Sequence, residues 1–318
     1  MKKTIMKTTL TILTLFIILN STFSQKKAET NSDLPIIKGS YLGQKPPGLI
    51  PEIFALGILP NPGKFALGIN FLQEGTELYY SQWERPFPQI RFRKIVNGTW
   101  TQDTIASFSG EFMDWDLTAA PDGKRLYFSS KRPLEKDGEP KKDADIWYVE
   151  RIEGLWSEPK NLGLSVNSDS NEVHPTIAKN GNIYFFGKHG PNISVTKNEN
   201  SNYLEPEKLG DEINSDSTDL DPIVAPDESY LIFHSRRSGG EGENDLYISF
   251  KDIESNSWTK AVNMGKLINT ENSDYCARIS LDGKYLFFSR RNPVTESSDF
   301  YWVDAKVIEN LKPKELKK

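Results

Sequence analysis

The chain is poor in the residues that cross-link, ligate metals tightly or anchor to membranes. Among its 318 residues there is one cysteine, Cys276, and there are three histidines, His174, His189 and His234. One cysteine excludes an internal disulfide and any Cys-x-x-Cys site, so stability has to come from packing. No His-Glu-x-x-His metal motif and no Gly-x-Ser-x-Gly nucleophile elbow occurs. Past residue 24 no segment is apolar enough to span a bilayer, so no membrane insertion is expected. Basic residues are short as well: 39 Lys and Arg against 44 Asp and Glu leave a net charge of −5. That balance suits neither nucleic acid nor an anionic membrane surface.

The beginning of the chain reads as an export signal. Lys2, Lys3 and Lys7 precede a short apolar core from Thr9 to Leu19, and small residues flank a cut after Ser24. Removing residues 1–24 takes away three lysines and moves the net charge from −5 to −8. No cysteine follows the cut, so a lipid anchor is not expected. Residues 25–48 read as a flexible N-terminal segment, 49–305 as the folded domain and 306–318 as a short charged, helix-like tail. No sorting domain follows Lys318, which favours the periplasm over the cell exterior.

A motif returns about every fifty residues, the mark of a repeat architecture. Ala120-Pro121-Asp122-Gly123-Lys124-Arg125-Leu126-Tyr127-Phe128-Ser129 recurs as Ala225-Pro226-Asp227-Glu228-Ser229-Tyr230-Leu231-Ile232-Phe233-His234. It recurs again as Ser280-Leu281-Asp282-Gly283-Lys284-Tyr285-Leu286-Phe287-Phe288-Ser289. Pro-Asp-Gly turns join adjacent antiparallel strands because Asp and Gly tolerate the tight backbone. A third strand follows (Asp145–Val149, Asp245–Ile248, Asp299–Trp302), then a connector of the type Val166-Asn167-Ser168. Four short antiparallel strands per unit describe one propeller blade. A degenerate first copy over 65–108 brings the count to five, and a sixth would require another degenerate copy within 30–60. The last copy lacks its outer strand after Val303. The segment 51–57 looks like an outer strand, so the N-terminal strand is expected to complete the last blade and close the ring.

The Pro-Asp-Gly-Lys-x-Leu-x-Phe-Ser turn with the following Asp-Ile-Trp/Tyr strand resembles the TolB-like, WD40-like propeller repeat of exported bacterial proteins. The likeness spans nearly all of the chain past the signal. It implies an all-β single propeller and leaves function open, because this fold hosts binding scaffolds, sensors and enzymes, among them uronate lyases.

In a repeat protein, residues shared by all copies hold the fold and residues that break the pattern are the functional candidates. Asp114, Glu172, Asp219 and Asp274 share one column and read as scaffold, as do Asp145, Asp245 and Asp299. The next inner-strand column is Gly68, Asp116, His174, Asp221 and Cys276. Two residues on come Asn70, Thr118, Thr176, Ile223 and Arg278. On the second strand Ser81, Ser129, Phe186, His234 and Ser289 align. His174, His234 and Arg278 are the outliers. They either satisfy ordinary partners, Arg278 pairing with Asp221 or Asp274, or converge on one channel mouth. Arg236, Arg237 and Arg291 follow the second strands and add positive charge.

Histidines, arginines and the aromatic rings of Trp115, Tyr275 and Trp83 suit an anionic oligosaccharide. Arginine reads a carboxylate or sulfate by paired hydrogen bonds, and histidine moves protons near neutral pH. The expected chemistry is β-elimination on a uronic acid by a lyase or a dehydratase. His174 and His234 are the expected proton-transfer pair with Tyr275 in reserve; Arg278, Arg237, Arg236, Arg291 and Trp115 are the expected substrate contacts. No cofactor is required, although His174, His234 and an acid such as Asp221 could take a divalent metal. A monomer is expected. The competing reading is a non-catalytic periplasmic binding or scaffold propeller.

Overall fold

A computed structural model of the chain describes residues 37–59, 64–200, 202–252 and 254–317. The expected signal and residues 25–36 lie outside the described residues. Five antiparallel sheets follow one another as the blades of a β-propeller. Their inner strands are Phe65–Leu72, Asp114–Ala119, Glu172–Ile177, Asp219–Val224 and Asp274–Ile279, here numbered blades 1 to 5. Each pairs with a second strand and that with a third. The outer edge is short, and in blades 1, 2 and 4 it is split into two pieces on the third strand.

The repeated motifs have local physical causes. After each inner strand of blades 2, 4 and 5, the turn aspartate caps itself. Asp122, Asp227 and Asp282 accept hydrogen bonds from the backbone N–H two residues on, at 2.9, 3.0 and 3.2 Å. The connector asparagine acts as a rung of the sheet. Asn167, Asn214 and Asn269 each bond both the N–H and the C=O of one third-strand residue, Ile146, Ile193 and Leu246 respectively. The hydroxyl that follows, on Ser168, Ser215 or Thr270, donates to the acid that opens the next inner strand, Glu172, Asp219 or Asp274. The acidic column is therefore joinery between blades.

A cation completes each joint. Arg132 donates to Asp114 and to the carbonyl of Phe108. Arg237 donates to Asp219 and the Ile213 carbonyl, both at 2.7 Å, and Arg290 to Asp274 and the Ile268 carbonyl. In blade 3 Lys188 reaches the Val166 carbonyl in the same way. Each arginine also lies against aromatic rings of its own blade, Arg237 at 4.7 Å from the Tyr247 centroid.

The ring closes where the sequence places the closure. Glu52 and Ile53 pair with Trp302 and Tyr301 on the third strand of blade 5, giving that blade its outer strand. Phe54, fully buried, contacts Phe71, Phe287 and Trp302 at centroid distances of 5.0–5.5 Å. Within residues 37–48, part of the segment expected to be flexible, two residues reach the core. Leu42 is buried, Tyr41 meets Phe71 and Tyr285 edge-on or tilted, and Trp100 donates to the Gly39 carbonyl. The charged tail is also partly structural, because its helix Lys306–Leu311 buries Val307 and Ile308 against blades 4 and 5.

Phe54→Ala removes the ring that ties the closure to blades 1 and 5. It is expected to cost about 3–5 kcal/mol, the usual range for a fully buried phenylalanine. Thermal unfolding checks this, and a loss below about 1 kcal/mol would contradict the closure as described.

Candidate functional site

Every inner strand carries a β-bulge at the same step. The register shifts between Leu67 and Asn70, Trp115 and Thr118, Val173 and Thr176, Leu220 and Ile223, and Tyr275 and Arg278. In each bulge one residue adopts the left-handed conformation: Gly68 (φ 61), Asp116 (53), His174 (55), Asp221 (50) and Cys276 (50). A bulge re-aims a side chain that the ladder would otherwise send onto a sheet face. Five blades thus turn five equivalent residues toward the axis, where they meet.

The meeting has one centre. Nδ1 of His174 lies 2.7 Å from Oδ2 of Asp116 and is in contact with Oδ1 of Asp221. The other oxygen of Asp221 accepts from the Cys276 thiol at 2.8 Å and lies 3.0 Å from Nδ1 of His234. At the fifth position Gly68 has no side chain, and the guanidinium of Arg278 takes the space, 3.2 Å from where a Cβ would stand. Asp116 is fully buried, while His174 keeps 16% of its side chain exposed.

The charges are set by this crowding. Burial disfavours the imidazolium of His174, yet the carboxylates of Asp116 and Asp221 outweigh it and push the ring up to about 10. Burial would also raise Asp221, but His174 and His234 hold it well below the usual carboxylate range. For Asp116 burial wins over His174, and its carboxyl is raised. Burial, then the charges of Asp221 and Asp116, push the Cys276 thiol well up. The donor atoms of Asp116, His174 and Asp221 all lie within 4.8 Å of one another, so these three could hold a metal ion.

His174, His234 and Tyr275 are brought together: the Tyr275 ring meets His234 at 6.2 Å, and on its far side stacks on Phe65 at 6.1 Å. Phe65 sits opposite the exposed Trp83, which shares an open cleft with Lys64 and Arg85. Arg236 and Arg291 are exposed, and both approach Glu243. Trp115 is half-buried on the inner strand of blade 2, one residue before Asp116.

Two arginines differ from expectation. Arg237 is committed to the joint with Asp219, because the repeat needs a cation there. Arg278 is axial but donates to the carbonyls of Leu117 and Ala277 rather than to Asp221 or Asp274. It lines a cavity of about 40 Å³ with Asn70, Thr118, Thr176 and Ile223, too small for a sugar. Asp116, Asp221 and Cys276 are the cluster members that pattern-breaking did not single out. Their signal was membership of the His174 column.

The chain is a five-bladed β-propeller whose axis carries an acid–histidine cluster. No protein-family model matches the sequence, and no curated protein matches it. A solved structure assigned as TolB from Agrobacterium tumefaciens is similar at 12% identity and a TM-score of 0.50, over 76% of this chain and 77% of that one. TolB from Acinetobacter baumannii (13%, 0.43) shares 76% of this chain and 57% of its own. An α-L-arabinofuranosidase from Lactobacillus brevis (15%, 0.47) shares 76% and 91%. The first supports a TolB-like propeller fold, and at 12% identity the likeness concerns fold alone.

Arg237→Ala leaves Asp219 buried without its cation and is expected to cost about 3 kcal/mol, as for other broken buried pairs. A melting curve decides the role of this residue. An unchanged melting temperature with weakened ligand binding would return Arg237 to the substrate contacts.

Proposed function

We propose that the protein is an exported propeller that carries out β-elimination on uronic-acid-containing oligosaccharide at the axial mouth. The observation that carries this reading is the single carboxylate of Asp221, which faces the Nδ1 atoms of two imidazoles at once, with a phenol beside one of them. A carboxylate at Nδ1 fixes the imidazole and leaves Nε2 for proton transfer. His234 takes the C5 proton at Nε2. The C5–H electrons form the C4–C5 double bond, the C4–O bond breaks, and its electron pair stays on the departing oxygen. Tyr275, which burial keeps protonated, gives that oxygen its proton. His174, pinned between Asp116 and Asp221, fixes the axis rather than carrying the proton.

Binding falls to the rim. Arg291 and Arg236 are exposed cations suited to a carboxylate or sulfate. The exposed ring of Trp83, paired across the strands with Phe65, offers a sugar face, with Lys64 and Arg85 beside it. The basic and apolar start of the chain supports export, and a periplasmic place suits trimming of imported oligosaccharides.

The purified protein is incubated with a panel of uronic-acid oligosaccharides while absorbance of the C4–C5 double bond is followed. The expected result is a rise that His234→Ala and Tyr275→Phe each reduce about 100-fold or more. Arg291→Ala should raise KM with a smaller change in kcat. A flat trace across the panel would sink elimination and leave a binding propeller as the account.

A further inference from the structure

The cluster holds an anomaly that acid–base chemistry does not explain. Both oxygens of Asp116, Oδ1 of Asp221 and Nδ1 of His174 are buried and lack any hydrogen-bond partner among the described residues, despite their close approach. Asp116 is fully buried, and a carboxylate in that position is ordinarily saturated with donors. Here the nearest groups are another carboxylate and a ring nitrogen that faces two acids with at most one proton to give.

From this geometry we infer that the propeller axis is a binding site for one divalent transition-metal ion, ligated by Asp116, His174 and Asp221. One imidazole nitrogen and two carboxylates make three protein ligands, a set that suits zinc or a similar first-row ion and leaves a coordination position open. Calcium and magnesium prefer more oxygen ligands than this waist supplies. Donor atoms around a tetrahedral zinc stand about 3.3 Å apart, given bonds near 2.0 Å. The His174–Asp116 pair, at 2.7 Å, has less than about an ångström to open.

The surrounding shell fits the assignment. Oδ1 of Asp221 points at the centre, while its Oδ2 is taken by the Cys276 thiol and approached by His234. Partners of this kind orient ligating carboxylates in metal sites. The left-handed bulges at 116, 174 and 221 aim the ligands from three adjacent blades. The inference stands apart from elimination, since zinc binding in a protein that eliminates nothing would still support it.

The test dialyses the protein against a chelator and titrates it with zinc by calorimetry, then with cobalt(II) by visible absorption. One ion per chain is expected, with a rise in melting temperature. Asp116→Asn and Asp221→Asn should each weaken zinc at least 100-fold. His234→Gln, a partner of a ligand, should weaken it about 10–100-fold. His189→Gln should change nothing, because that ring contacts the Pro206 carbonyl instead. X-ray absorption of the wild-type zinc protein requires no variant and should count one imidazole with oxygen neighbours. No stoichiometric zinc, retention of the site in both aspartate variants, or a shell without imidazole would overturn the assignment.

Discussion

The constraint on which the rest depends is the bulge in each inner strand. A regular strand sends its side chains alternately onto its two faces, toward the neighbouring blades. A single extra residue in the left-handed conformation turns one side chain per blade toward the axis instead. For a residue with a Cβ this costs about 1–2 kcal/mol. Four of the five positions carry one: Asp116, His174, Asp221 and Cys276. The same left-handed step in every blade brings two carboxylates, an imidazole and a thiol together at the axis.

That centre is affordable because the frame is over-determined. The boundaries before blades 3, 4 and 5 are tied by an acid at the start of the inner strand, an Asn-hydroxyl connector and a cation that reaches that connector's carbonyl. Aromatic rings flank the cation, and interblade clusters fill the remaining space. The closing strand adds the same continuity to blades 5 and 1. These joints take up Arg132, Arg237 and Arg290, so an arginine after a second strand is a poor guide to the site.

The fold was legible because its determinants are local. The Asp-Gly turn, the Asp-Ile-Trp/Tyr strand and the Asn-Ser connector each bond within or next to their own segment, so their spacing carries blade count and closure. The site was legible only in part. His174 and His234 broke their columns and do meet. Asp116 and Asp221 looked alike and so ordinary, because no periodicity reveals a left-handed residue that is not glycine. Arg237 and Arg278 were harder still. Arg237 follows a strand and Arg278 lies within one, both at positions open to either role, and only the partners of the guanidinium separate a joint from a ligand contact. The packing of residues 37–48 was hidden for another reason: Tyr41 and Leu42 join the core from a segment with no strand pattern.

The central claim is that Asp221 couples His174 and His234 at the axis. Nuclear magnetic resonance of ¹⁵N-labelled histidine tests it directly, because the chain has three histidines and His189 serves as an internal reference. In metal-free protein, Asp221→Asn is expected to shift the ring nitrogens of His174 and His234 together and to leave His189 in place. A substitution that moves neither ring, or His174 alone, would contradict the account.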